Sequence, residues 1–325
     1  DADLVLGYID AESFAGGRMR LDRAAAAAAV GEVAAQLGLG LLECASGIAK
    51  IVEFQMADII RKMTVGKGLD PRDFTLFAFG GAGPVHAGVF SRELGVARVV
   101  IPQRETASTW CAFGAAAADV LHIHEMVDIQ ASPFSAERIN RNLARLAEDA
   151  RAQMAKDGIA PARQHLEFAL DMRHKGQINE VEAVLDWSAA EGEFEAPLKE
   201  RFYQCYEQLY GRGAAFKGAR VEIVTYRVRA SAETPRPRLV AAERLSDTIT
   251  AAARRPPRPV YWEEMRASVE TPIWDGLALV PGNAVIGPAV VETPDTSVVV
   301  RPGQSLRVDA YGNFELAVGT AAHEG

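Results

Sequence analysis

The sequence predicts an α/β protein made of three consecutive segments. Over residues 73–122, apolar β-forming runs alternate with helix-forming runs, an order typical of a parallel or mixed sheet. Between residues 127 and 233, helical patterns are interspersed with runs of alternating apolar and polar residues, which indicate an α+β module. From residue 260 onward, short strands separated by Pro-Gly, Gly-Pro and Tyr-Gly-Asn turns predict a small all-β barrel or sandwich.

Length, charge and composition agree with this organisation. A chain of 325 residues exceeds one ordinary core, so two or three domains are expected. The 35 basic and 43 acidic residues give a net charge of −8 without a basic stripe, which argues against nucleic acid as a partner. No apolar run is long enough to cross a bilayer and no secretory pattern opens the chain, so a cytoplasmic protein is expected.

Two helices are predicted before the first strand of the α/β segment. Residues 21–39 are rich in Ala, with Asp22 as a candidate N-cap and Gly38 as a candidate stop. Residues 42–65 carry apolar side chains at intervals of three and four, including Ile51, Ile59 and Met63. That spacing predicts a helix with a wide buried face.

The stretch "DFTLFAFGGAGPVHAG" joins a predicted strand to a predicted helix through a glycine-rich turn. Such a turn aims the N–H groups and the positive dipole of the helix start at whatever lies above the sheet edge, commonly an anion or nucleotide. Ligands of α/β sheets also lie at the carboxyl ends of strands. The sequence therefore predicts nucleotide contacts here, with a simple strand-to-helix connection as the alternative. The predicted contact residues are Gly80, Gly81, Ala82, Gly83 and Pro84.

Several other side chains are candidates for the same site. His86 lies in the first turn of the predicted helix, where it could act as a proton relay, a metal ligand or a phosphate contact, or could simply pack under the turn. Arg104, Glu105 and Thr106 follow the next strand and are predicted to line the cleft. His122 and His124 lack a clear third ligand, so no metal site is predicted.

Five blocks of the chain together resemble one family, the hydantoinase A and oxoprolinase family, which includes ATP-dependent carboxylases of acetone and acetophenone. The resemblance covers nearly the whole chain, in the expected order. The blocks are "DADLVLGYID" with "FAGGRMRLD", "DPRDFTLFAFGGAGPVHA", "LDMRHKGQINEVE", "VEIVTYRVRA" and "IGPAVVETPDTSVVVRPGQSLRVDAYGN".

The resemblance implies a C-terminal portion of an actin-like, sugar-kinase-like ATPase core. Residues 1–126 would form the second half of that core, with the glycine turn as its adenosine-side motif and His86 as a catalytic candidate. Residues 127–233 would form the α+β module, and residues 234–325 a linker and the small β domain. The family's Asp-x-Gly-Gly-Thr phosphate loop does not occur in this sequence. ATP and Mg²⁺ are thus the expected cofactors, and Mg²⁺ would be held mainly by a larger partner chain or N-terminal segment of a hetero-oligomer.

The chemistry that the resemblance implies is ATP-dependent carboxylation. A ketone would be activated as its enol phosphate and bicarbonate as carboxyphosphate before a C–C bond forms. Two alternatives stay open from the sequence. One is ATP-dependent ring opening of the hydantoinase or 5-oxoprolinase type, and the other is a non-catalytic scaffold copy in a larger complex.

Overall fold

The computed structural model describes residues 1–102 and 106–319, which fold into two compact units. The first unit combines Asp1–Ala115 with Arg238–Gly325, and the second is Ala116–Pro237. The helices are α1 (Ala2–Leu6), α2 (Arg23–Leu37), α3 (Leu41–Val65), α4 (Gly83–Leu94), α5 (Trp110–Ala117), α6 (Ala136–Lys156) and α7 (Glu195–Tyr210).

Thirteen strands are assigned within the described residues, and all but four belong to the first unit. They are β1 (Leu76–Phe77), β2 (Arg98–Ile101), β3 (Val120–Ala131), β4 (His165–His174), β5 (Val181–Leu185), β6 (Val221–Ala232), β7 (Arg254–Trp262), β8 (Ala267–Asp275), β9 (Ala284–Ile286), β10 (Ala289–Glu292), β11 (Ser297–Val300), β12 (Ser305–Val308) and β13 (Phe314–Ala317).

The first unit contains a mixed five-stranded sheet in the order β1-β2-β13-β12-β9 and a four-stranded sheet in the order β11-β10-β8-β7. β1 runs parallel to β2, and β13 pairs with β2 in the antiparallel sense, with Phe314 opposite Ile101. Strands from the end of the chain therefore complete the sheet that the first segment begins.

This division differs from the predicted segments 1–126, 127–233 and 234–325. The physical reason is that β2 finds its second neighbour more than 200 residues later along the chain, in β13. Buried apolar side chains from both ends of the chain share one core, with Val99 and Ile101 packed in the same cluster as Leu306 and Phe314. Alternating patterns predict strands but not which strands pair.

The second unit, Ala116–Pro237, is an α+β module that overlaps the predicted segment 127–233. Its antiparallel sheet has the order β3-β6-β4-β5, with α6 against β3 and β6 and α7 against β5. Ser135 caps α6 by accepting a hydrogen bond from the amide of Arg138. Leu170, Tyr226 and Phe202 are fully buried in its core.

Helix α3 departs from the prediction of a wide buried face. Its buried positions are mostly small residues, among them Ala45, Ala49 and Ala57. Ile51, Ile59 and Met63 are 61, 58 and 62% exposed. In the described part of the chain, no single helix is long and apolar enough to cross a membrane; α2 and α3 meet that criterion only together, with an angle of 93° between them.

Candidate functional site

The glycine-rich turn connects β1 to α4 as predicted, and neighbouring loops hold it in place. Gly80 adopts a left-handed conformation with φ +85°, which favours glycine, and its amide donates to the carbonyl of Ala107 at 2.9 Å. The Thr296 hydroxyl donates to the Gly81 carbonyl at 3.0 Å. Pro84 occupies the first turn of α4, and none of the described side chains caps that helix start. Its leading amides are therefore not occupied by a side-chain cap.

A pocket of about 290 Å³ lies beside this turn. Gly81 and Ala82 form part of its wall, and the rest comes from two loops distant in sequence, residues 9–15 and 292–297. Apolar contacts come from Ile9, Phe14, Val85 and Pro294, and hydroxyl groups from Ser13, Ser108 and Thr296. Small-molecule sites typically range from about 300 to 1,000 Å³, so this pocket suits one small apolar group with polar edges.

The loop that covers the pocket has an unusual backbone. Ala15, Gly16 and Gly17 all have positive φ values. A Cβ at Gly16 would lie 3.1 Å from Cβ of Pro294, so the absence of a side chain lets the two loops approach. Arg18 joins the same loops through an exposed ion pair with Asp295 at 3.3 Å.

The charges around the pocket are acidic. Asp10, Asp295 and Glu292 line it, whereas none of its described lining residues is Lys or Arg. Glu292 is buried and already paired with Arg258 at 2.6 Å and Arg255 at 2.9 Å. A nucleoside therefore fits this lining better than a triphosphate, whose negative charge meets no cation among the described lining residues. Within the described residues, no group of three or more His, Cys, Asp or Glu could hold a metal ion.

The segment predicted to line the cleft after β2 is only partly described. Thr106 precedes a short 3-10 helix, Ala107–Thr109, and its carbonyl accepts from the amide of Thr109 at 2.9 Å. Ala107 contacts the glycine turn and Ser108 lines the pocket. Arg104 and Glu105 lie outside the described residues, so their role stays a prediction.

His86 lies in α4 but on the wall of a different cavity. That cavity has a volume of about 390 Å³ and is bounded by Asp3, Val30, Val33 and Val52 as well as His86. The ring is buried, with Nδ1 at 3.2 Å from Glu53 Oε1 and Nε2 at 3.4 Å from Asp3 Oδ2. Burial alone would lower the pKa of His86, but the two carboxylates outweigh it and raise the pKa to about 9. The imidazole is thus held as a cation at neutral pH.

Arg301 extends this network of buried charges. Its guanidinium lies 3.5 Å from Glu53 Oε1 and 3.2 Å from Glu264, and it donates to the Tyr8 hydroxyl at 3.2 Å. Burial raises the pKa of Tyr8 to about 12, so the phenol stays protonated. The network connects α1, α3 and α4 with the turn after β11.

Sequence reasoning missed the roles of two loops and of two charged residues. Parts of the loops 9–15 and 292–297 appeared in the sequence analysis within the family blocks, as "FAGGRMRLD" and "VVETPDTS". No role in the site was predicted for either loop. Glu53 and Arg301 gave no local signal, because His86 lies 33 residues from Glu53 along the chain and Arg301 lies 248 residues from it (301 − 53).

Family models match most of the chain. The hydantoinase/oxoprolinase model matches residues 1–124, and the model of the hydantoinase/oxoprolinase C-terminal domain matches residues 128–318. The chain belongs to the hydantoinase/oxoprolinase family. The predicted family resemblance is confirmed.

Individual members of the hydantoinase/oxoprolinase family match along almost the whole chain. The acetophenone carboxylase gamma subunit of Aromatoleum aromaticum is 32% identical over 96% of this chain and 43% of its own length. The nucleotide-free structure of acetone carboxylase, from a study of ATP-dependent acetone carboxylation, superposes with a TM-score of 0.72 at 27% identity, covering 97% of this chain and 45% of that one. The ATP-dependent caprolactamase of Pseudomonas jessenii gives a TM-score of 0.81 at 29% identity, covering 98% and 46%.

These likenesses confirm a mixed α/β fold with three sheets. They also show that the chain spans less than half the length of the relatives it matches. More than half of each of those proteins has no counterpart in this sequence.

Proposed function

We propose that this chain is a subunit or C-terminal portion of an ATP-dependent carboxylase that acts on a ketone such as acetophenone or acetone. The observation that carries the proposal is the match of a carboxylase subunit along 96% of this chain. Because less than half of that relative is matched, activity would require the remaining portion, from an N-terminal segment or a larger partner chain.

The pocket beside the glycine turn would hold the adenosine part of ATP. Gly81 and Ala82 bring the backbone to the pocket wall without bulky side chains, and the apolar lining from Phe14 and Pro294 suits a base. The uncapped start of α4 adds N–H groups directed at the ligand. An actin-like arrangement, in which a second half closes over this pocket, is part of the proposal.

The phosphates and Mg²⁺ would be held by the companion portion. The described pocket lining supplies carboxylates and hydroxyls but no cation, so it cannot neutralise a triphosphate alone. ATP bound there would supply one phosphoryl group to the enolate oxygen of the ketone and one to bicarbonate. This chain's residues would bind and orient the nucleotide and exclude water from one side of it.

His86 would act as a positioning residue in this scheme. Its ring is fixed between Asp3 and Glu53, on the wall of a cavity whose lining shares no residue with the glycine-turn pocket. The imidazolium would hold the first turn of α4, and hence the glycine turn, in place. The direct catalytic role predicted for His86 stays a prediction.

The test is native mass spectrometry of the protein purified from its source, followed by ATPase assays of the purified assembly. We expect a larger companion with an Asp-x-Gly-Gly-Thr loop, and ATP turnover that rises only when a ketone and bicarbonate are both present. A protein that travels alone and hydrolyses no ATP with any substrate would make the scaffold alternative the better account.

One observation favours a second candidate function, the ATP-dependent opening of a cyclic amide. The caprolactamase structure superposes with the higher TM-score, 0.81 against 0.72. Bicarbonate separates the two reactions, because amide hydrolysis consumes water and no carbon dioxide equivalent. ATP turnover that responds to lactams without bicarbonate would favour the amide hydrolase.

A further inference from the structure

Helix α3 carries an apolar stripe that nothing in the described part of the chain covers. Val52, Ile59 and Met63 follow one another at intervals close to whole helical turns, over about 16 Å at 1.5 Å per residue. Ile59 and Met63 are among the more exposed apolar side chains of the first unit. Exposed apolar surface of this extent commonly marks an interaction site.

The edge strand β1 has the same character. β1 occupies one edge of the five-stranded sheet, and within the described residues it pairs only with β2. Its Phe77 is 52% exposed, and the flanking Phe74 and Phe79 are exposed as well. An exposed apolar edge is a template for another strand, and proteins normally shorten, charge or cover such edges.

Among residues 1–102 and 106–319, no strand pairs with the outer side of this edge. The amide of Ala78 donates to Val100 in β2, and the amide of Gly80 donates to Ala107, both at 2.9 Å. Because successive amides of an extended chain point to opposite sides, the amides of Phe77 and Phe79 face away from β2.

Helix α3 and strand β1 pack against the same core cluster of the first unit. Leu76 of β1 packs against the same core cluster as Met56 and Ile60 of α3, the residues next to the exposed Ile59 and Met63. The core of a protein interface contains few charged residues. By this criterion the stripe on α3 is a better docking surface than the exposed face of β3. On β3 the apolar residues lie beside Glu125, which pairs with Arg227 at 2.5 Å.

We propose that the free edge of β1 and the apolar stripe of α3 form the docking surface for the companion portion of the protein, which adds a β-strand beside Phe77. The companion portion is the part of the family chain that relatives possess and this sequence does not match, more than half of their length. This inference rests on the proposed function in one respect only, namely that a companion portion exists. Strand addition would supply main-chain hydrogen bonds, and the stripe the buried apolar area.

Cysteine labelling compares the isolated chain with the complete assembly. Ile59→Cys is placed in the stripe, and Lys50→Cys serves as the control because it is exposed on the opposite side of the same helix. Labelling by a maleimide is read by peptide mass spectrometry, so that the native cysteines do not interfere. We expect labelling at residue 59 to slow at least about tenfold in the assembly, and labelling at residue 50 to change less than about twofold.

Hydrogen exchange and a blocking variant test the strand addition. The peptide Phe74–Phe79 should exchange more slowly in the assembly than in the isolated chain. Phe77→Lys should leave the melting temperature of the isolated chain unchanged and lower that of the assembly, because a charged edge resists pairing. Ile286→Lys is the matched control, since β9 forms the opposite edge of the same sheet and Ile286 is exposed.

Three results would overturn the proposal. Equal labelling of residue 59 in both samples means that the stripe is not covered. If labelling of residue 59 in the isolated chain is slow and slows further as the protein concentration rises, a second copy of the chain covers the stripe. Slower labelling of Val127→Cys on β3 in the assembly, without slower labelling at residue 59, would place the docking surface on β3 and not on α3. If residue 59 is protected but ketone and bicarbonate do not stimulate ATP turnover, the docking surface stands and the carboxylase function fails.

Discussion

Nδ1 of His86 lies 3.2 Å from Oε1 of Glu53, and both side chains are buried. The two residues come from different helices, α4 and α3, and so link the helix that follows the glycine turn to the longest helix of the first unit. A buried carboxylate needs such a partner, because an isolated charge in the interior is costly.

The first prediction concerns the pH dependence of this pair. The two carboxylates raise the pKa of His86 in the folded state to about 9, above the ordinary histidine value of about 6.5. Its contribution to stability is therefore complete below pH 6.5 and is lost as pH rises through 9. The contribution is of order 3 kcal/mol at most. Urea midpoints of wild type and His86→Gln, measured from pH 6 to 9.5, should converge as pH rises. A difference that stays constant over that range contradicts the assignment.

The second prediction concerns Arg301. Arg301→Met removes the cation next to Glu53 and Glu264, and leaves the buried Glu53 with His86 as its one charged partner among the described residues. Loss of one partner of a buried pair typically costs about 3 to 5 kcal/mol. Arg18→Met is the control, because its pair with Asp295 is exposed and such pairs contribute about 0 to 1 kcal/mol. Equal destabilisation by the two substitutions, measured by urea unfolding, would refute a special role for Arg301.

The third prediction concerns the glycine turn. Gly81 has no positive φ value, and a Cβ there would lie 3.6 Å from the Asp295 carbonyl, an ordinary contact. Gly81→Val should therefore fold, but its methyl groups would occupy pocket space. We expect the KM for ATP of the complete assembly to rise at least about tenfold, a loss of about 1.4 kcal/mol of binding.

A helical glycine away from the pocket provides the control for Gly81→Val. Gly47→Ala adds a methyl group in α3 that would lie more than 4 Å from every described atom outside its own helix backbone and chain neighbours. It should leave the KM unchanged and stabilise α3 by up to about 1 kcal/mol. An unchanged KM in Gly81→Val would place the nucleotide outside this pocket.

Local features were predictable from the sequence, whereas distant contacts were not. Asp22 and Gly38 bound α2 as predicted, and the strand, glycine turn and helix around Pro84 follow directly from residue preferences. The pairing of β13 with β2 and the approach of the loop at Phe14 to Pro294 depend on contacts across most of the chain. The spacing of apolar residues predicted helix α3 correctly but predicted wrongly that Ile59 and Met63 are buried. Such spacing identifies an apolar face of a helix but does not show whether another element covers that face.

The fourth prediction concerns His174, where the sign of the pH effect is opposite to that of His86. His174 is buried among the rings of Phe202, Tyr203 and Tyr206, and neither ring nitrogen has a hydrogen-bond partner in the described part of the chain. Burial lowers the pKa of His174, so protonation is easier in the unfolded state.

Stability of the second unit should therefore fall as pH drops below the ordinary histidine pKa of about 6.5. Hydrogen exchange of β4 and β5 peptides measures this locally, apart from the His86 effect in the first unit. His174→Phe keeps an aromatic ring in the cluster and removes the titrating group, so its exchange should lose the acid dependence between pH 7 and 5. If the acid-induced increase in exchange persists in His174→Phe, another group in the second unit is responsible, because the substituted ring takes up no proton.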